Sequence, residues 1–157
     1  MPHTHTPQVS YELYAHRFHD GESVTDPSVA GLVFGAIAPF CVEAPDEMGH
    51  CDTRTPDGGE AEFYVGPDGH GFMVSHFSPG QTTELILRAA RSAQLILLGP
   101  GLSPVLTDAN QLADLPAALA AGDPMPVLVE TAAELERLIA DDPETYRRCR
   151  ERLTSRA

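Results

Sequence analysis

Gly69–Thr107 reads GHGFMVSHFSPGQTTELILRAARSAQLILLGPGLSPVLT, and the reading of this stretch decides the fold. Phe72–Phe77 alternates in the manner of a strand, and Leu95–Leu98 is a short, wholly apolar run of the kind that forms a buried one. Between them the sequence predicts a helix over Pro79–Ser92. Ser78, Pro79 and Gln81 are spaced as a capping box with proline at the first helical position. Leu85, Ile86, Ala89 and Ala93 form its apolar stripe, while Glu84 and Arg88 can pair at i, i+4 on the exposed side. A strand–helix–strand unit at 72–98 predicts two parallel strands joined by a right-handed crossover. Gly99-Pro100-Gly101 then turns the chain. It lacks the dinucleotide-binding pattern, because a short strand (SPVLT) rather than a helix follows.

Working back towards the N-terminus, Glu60–Val65 and Phe72–Phe77 flank GPDGHG, which reads as a hairpin. The alternation puts His76 in line with Phe72 and Val74, as a hydrogen-bonded histidine of the core face. Residues 39–59 read as a long irregular loop, and such loops are usually functional or mobile. Asp26-Pro27 opens a helix to about Ala38, in which Gly31 and Gly35 are spaced to let another backbone approach. Ser10–Phe18 reads as a strand with Glu12, Tyr14, His16 and Phe18 on one face. Residues 1–9 read as a flexible tail. Pro2 removes the N–H that an amino-terminal metal motif at His3 would need.

Towards the C-terminus, Asp108 with Gln111 and Thr131 with Glu134 each cap a helix, and Pro126–Glu130 reads as a strand between them. Asp142-Pro143 starts a last helix that places Tyr146, Cys149 and Leu153 on one face. Arg147, Arg148, Arg150 and Arg152 make that helix the one basic patch, suited to its C-terminal dipole or to the acidic half of a second copy. The expected fold class is α+β: a single domain over residues 10–157, with a mixed sheet of five or six strands. The helices are concentrated in the C-terminal half.

The charge is uneven. The chain of 157 residues has a formal net charge of −13 and no lysine. Residues 1–80 hold twelve acids against two arginines, and residues 81–157 hold eleven acids against eight. An arginine-only, alanine- and proline-rich composition matches a GC-rich, bacterial codon usage. A surface this acidic repels a phosphate backbone, so no nucleic-acid partner is expected. A basic protein, a cationic ligand or a metal is favoured. No apolar run is long enough to span a membrane, and the polar first residues do not read as a signal peptide. Three cysteines then read as reduced thiols of a cytoplasmic protein.

Catalytic patterns are missing: there is no G-x-S-x-G, no P-loop and no H-E-x-x-H. Ser75 and His76 are strand neighbours and point to opposite faces. The leading expectation is therefore a non-enzymatic acidic protein that binds a basic protein partner, in the manner of an immunity protein or antitoxin. Its contact residues would be Asp46, Glu47, Asp52, Asp57, Glu60 and Glu62, with an exposed aromatic such as Phe40 or Tyr64 as anchor. Homodimerisation is a further expectation. The second reading is a metal-dependent or thiol enzyme using Cys41, His50, Cys51, His70 and His76, although the spacing lacks two close ligand pairs. No cofactor is expected unless that metal binds. The third is a small-ligand pocket near Ser78, Gly99 and Gly101.

Overall fold

Short runs with one apolar residue in two build most of the sheet. In the computed structural model, which describes residues 11–157, Leu13–His16 (β1), Glu60–Val65 (β5) and Gly71–Ser75 (β6) each send alternate side chains into one core. Phe18–His19 (β2) and Glu22–Ser23 (β3) form a small separate ribbon. His50–Arg54 (β4), Ile96–Leu98 (β7), Val105–Leu106 (β8) and Val127–Leu128 (β9) complete a seven-stranded sheet in the order β4-β5-β6-β1-β7-β8-β9. The architecture is α+β with a mixed sheet: β8 and β9 are parallel and the other neighbours antiparallel.

The strand–helix–strand unit is present, with β1 inserted between its two strands. β1 is antiparallel to both β6 and β7, so those two run parallel on either side of it, joined by Gln81–Ser92 (α2). The insertion brings backbones close at Gly71. Its φ is +137°, and a Cβ there would lie 1.8 Å from the Ala15 carbonyl oxygen, so only glycine fits.

Ser28–Ile37 (α1), α2 and Ala132–Ile139 (α4) cover one face of the sheet. Val29, Val33, Ile37, Leu85, Ile86, Ala89 and Leu135 pack there with Leu13, Phe63, Val74, Leu97 and Val105. A second core lies on the opposite face, over β7–β9 only. Ile96, Leu106 and Leu128 meet Leu115 and Leu153, under the 3₁₀ turn Ala109–Asp114 and the short helix Ala117–Ala120 (α3). Pro143–Arg156 (α5) closes the β9 edge. Arg150 Nη1 donates to the Pro126 carbonyl at 2.7 Å and Arg152 Nη1 to the Leu128 carbonyl at 3.0 Å. These carbonyls point away from β8, so α5 removes the unpaired edge that a terminal strand otherwise exposes.

Several local expectations are corrected. Residues 39–59 are not wholly irregular: they contain β4, whose buried face is only Cys51 and Thr53. Helix α2 starts at Gln81, and Ser78 does not cap it. Ser78 Oγ instead accepts from Glu60 N–H at 2.9 Å. Carboxylates from elsewhere hold the first amides of α2: Glu136 accepts from Gly80 at 2.6 Å and Asp57 from Gln81 at 3.0 Å. Among the described residues, a Cβ at Gly31 or Gly35 would meet no atom within 4 Å, so none of their backbone approaches these glycines. The boxes at Asp108/Gln111 and Thr131/Glu134 form as expected. The tail over residues 1–9, with His3 and His5, lies outside the described residues.

Candidate functional site

Among the described residues, the second face of the sheet is covered over β7–β9 and open over β4, β5, β6 and β1. Strand register fixes what lines the open part. His50 is opposite Tyr64, Tyr64 opposite Met73, and Met73 opposite Tyr14, giving one row across four strands. Tyr14 and Tyr64 remain 36% and 37% exposed, and the His50 and Tyr64 rings sit 4.7 Å apart. Beside this row runs one of carboxylates. Asp52 is directly opposite Glu62, with Glu60 the next exposed position and Arg54 bonded to it at 2.9 Å. Glu12 joins at the β1 side, where its carboxylate accepts the Tyr14 hydroxyl at 2.6 Å. That bond raises the Tyr14 pKa, and burial followed by the Glu62 and Asp52 charges raises that of Tyr64.

His76 reaches this face through an interruption of the strand. β6 ends at Ser75, and His76 takes φ +48°, a left-handed conformation that histidine adopts more readily than most residues. The alternation is broken there. Phe77 enters the core and the His76 side chain is 58% exposed, against the expectation of a core-facing histidine. Its Nδ1 lies 3.1 Å from Glu62 Oε2, and Ser75 Oγ donates to the same oxygen at 3.4 Å. His50 Nε2 is 3.3 Å from Asp52 Oδ1. Donor atoms of His50, Asp52 and Glu62 lie within 4.8 Å of one another. An open cleft of about 400 Å³ adjoins the group, lined by Val42, Asp52, Arg54, Glu60, Glu62 and His76.

The loop before β4 sets His50. Asp46 Oδ1 accepts from the His50 and Met48 amides, both at 2.9 Å, and its other oxygen faces His50 Nδ1 at 3.9 Å. Gly49 makes the turn with φ +81°, where a Cβ would meet the Val65 carbonyl oxygen at 2.1 Å. Glu47 stays exposed on that loop.

The remaining expected site residues are dispersed. Asp57 leaves the face for the α2 terminus, where the Thr55 hydroxyl and then the Gln81 and Gly59 amides hold its carboxyl below the usual range. Cys41 and Cys51 are joined as a disulfide with Cα atoms 6.3 Å apart, so the expectation of three reduced thiols is corrected to one, buried Cys149. His70 lies at the other end of β6 from His76, with Nε2 3.0 Å from Asp68. Burial, and after it the neighbouring His70, lower the His16 pKa. Phe40 is half-buried against the main core. At Gly99 the space is taken by Tyr11, whose hydroxyl donates to the Pro100 carbonyl at 2.6 Å, while Gly101, at φ +70°, has open space beside it among the described residues. The basic patch of α5 is engaged within the chain. Arg147 bonds Glu144 and Glu151, while Arg148 and Arg152 reach Glu134.

A larger cleft, about 500 Å³, opens at the opposite end of the strands between the β2–β3 ribbon and residues 109–114. Phe18, Val24 and Ile96 give it apolar walls, with Arg17 and Gln111 among its polar ones. Gln111 Oε1 accepts from the Thr107 and Asp108 amides, while its buried Nε2 has no partner among the described residues.

Sequence reasoning missed Tyr14, Met73 and the register that joins them to Tyr64 and His50. Alternation placed Tyr14 on a face with Glu12 and His16. Nothing local could place β1 beside β6, because the hairpin partner of β6 is β5. No protein-family model, no curated protein and no solved structure matches the chain. Among the described residues, no helix is long and apolar enough to cross a membrane.

Proposed function

We propose that this protein binds a basic protein partner on the open half of its sheet, as an immunity- or antitoxin-like protein covers a toxin. The observation that carries the reading is the paired rows on that face: His50, Tyr64, Met73 and Tyr14 beside Asp52, Glu62, Glu60 and Glu12. Aromatic and methionine side chains anchor interfaces, and flanking carboxylates steer a cationic surface to them. Asp52 opposite Glu62 costs sheet stability, because like charges directly across a ladder repel. A bound cationic group turns that repulsion into attraction. Asp46 and Glu47, on the loop beside β4, extend the acidic rim.

The test is native mass spectrometry of the untagged protein purified from its own host, with Tyr64→Ala and Asp52→Lys variants in parallel. The expected result is a basic protein retained one-to-one by the native chain and lost from both variants, with retention falling steeply as salt rises. Retention that neither variant changes, or no retained protein, would overturn the reading.

The buried amide of Gln111 favours a second reading, a small ligand in the 500 Å³ cleft. Apolar walls set among Arg17, Asp26, Asp114 and Gln111 suit a small molecule with both apolar and polar groups, one of them a carbonyl for the Gln111 amide. A nuclear magnetic resonance screen of such compounds should move the Gln111 side-chain amide signal. Hits that leave it in place would sink this reading.

A further inference from the structure

We infer that His50, Asp52, Glu62 and His76 form a binding site for a divalent first-row metal ion of the zinc class. The site shares His50, Asp52 and Glu62 with the proposed partner face, but metal binding there does not depend on a partner. Its donors come from β4, β5 and the residue after β6, so three hydrogen-bonded strands hold them on one platform. Donor atoms of His50, Asp52 and Glu62 converge within 4.8 Å of one another; His76 stands outside that group and meets it at Glu62, whose Oε2 is 3.1 Å from its Nδ1. Ligands of a tetrahedral ion with bonds of about 2.1 Å lie about 3.4 Å apart. The 3.3 Å His50–Asp52 and 3.1 Å His76–Glu62 separations match such edges, and binding would have to draw His76, with Glu62, in towards the other two ligands. Two imidazoles with two carboxylates suit zinc and its neighbours rather than magnesium or calcium, which take oxygen alone.

The surroundings fit a cation. Asp46 anchors the His50 backbone at 2.9 Å, and its other oxygen adds negative charge 3.9 Å from Nδ1. Ser75, 5% exposed, is placed to donate to Glu62. The set differs from the one the sequence suggested. Cys41 and Cys51 are joined to each other, and His70 is at the far end of β6. Asp52 and Glu62 take their places.

Isothermal titration calorimetry with zinc chloride tests the site, on chelator-treated full-length protein carrying His3→Ala and His5→Ala so that those histidines contribute nothing. The expected result is one ion per chain. His50→Ala and His76→Ala should each weaken binding at least tenfold, and His70→Ala should leave it unchanged. Cobalt in place of zinc should give the intense visible bands of a tetrahedral site, lost in His50→Ala. Far-ultraviolet circular dichroism would verify that each variant folds. For folded variants, the inference is overturned by no stoichiometric binding, or by His70→Ala weakening it as much as His50→Ala does. Glu62→Gln provides a second check: unchanged affinity there would also overturn the assignment.

Discussion

The two halves of the sheet handle charge in opposite ways. Around β8 and β9, both faces are covered and the arginines of α5 are spent inside the molecule. Arg152 alone bonds Glu134 through two nitrogens at 2.8 Å, Glu130 at 2.8 Å and the Leu128 carbonyl at 3.0 Å. Around β4, β5 and β6, one face is bare among the described residues. Its carboxylates have histidines and a single arginine, Arg54, for company. A fold needs compensated charge where groups are buried. It tolerates uncompensated charge where they are exposed, and the exposed acids are then free for something outside the chain. Residues 1–80, which include the open face, hold twelve acids against two arginines, while residues 81–157 hold eleven against eight.

The largest test of this contrast is Arg152→Met. Glu134 is only 6% exposed, so removing its guanidinium strands a buried carboxylate and the edge carbonyl at Leu128. Breaking such a pair costs about 3–5 kcal/mol, and urea denaturation should show a loss of that size. A loss under about 1 kcal/mol would mean that Glu134 finds other compensation and that the two halves are not so different.

Next in size is a pH effect. The Arg152 hydrogen bonds, outweighing the opposing effect of burial, lower the Glu134 pKa from 4.5 to about 2. A depressed carboxyl pKa stabilises the fold above its unfolded value and loses that stabilisation as pH falls through the folded one. Glu134 thus contributes about 3 kcal/mol above pH 4.5, at roughly 1.4 kcal/mol per pKa unit. The contribution should disappear between about pH 4.5 and pH 2. Urea midpoints measured across that window should fall less steeply for Glu134→Gln than for the native chain. Parallel slopes would show that other carboxyls govern acid unfolding.

What the sequence made legible follows the same division. The covered half announced itself: an apolar run at Leu95–Leu98, and capping boxes at Asp108 and Thr131 that formed where expected. Local chemistry sufficed because helix caps and apolar periodicity act over a few residues. The open half hid its architecture. β4 buries only Cys51 and Thr53, so its alternation resembles a polar loop. His76 breaks its strand's alternation through a backbone angle that composition does not encode. The site itself is made by register between strands far apart in sequence, β1 against β6 above all. Ser78 shows a related limit: its spacing suited a cap, but tertiary partners, Asp57 and Glu136, occupied the helix terminus instead.

Under the open half, α1 offers a smaller test. Gly31 and Gly35 are exposed in mid-helix with free space around them. Ala at either position should stabilise the protein by about 0.5–1 kcal/mol through lost freedom in the unfolded chain. A destabilising result would show that α1 meets a surface outside the described residues.

The smallest effect bears on the face itself. Asp52→Asn keeps the side chain's shape and removes one of two carboxylates held directly opposite each other. A cross-strand like-charge pair costs a few tenths of a kcal/mol, so this change should raise stability by about 0.2–0.5 kcal/mol, or at least cost nothing. The gain should be greatest at low salt, where the repulsion is least screened. A loss above about 1 kcal/mol would place Asp52 among the groups that hold the fold together. Its charge would then be structural, as Glu134 is, and the contrast between the halves would fail at its most exposed point. A gain would mean that the chain keeps a carboxylate its own fold is better without, which is the mark of a group retained for what it binds.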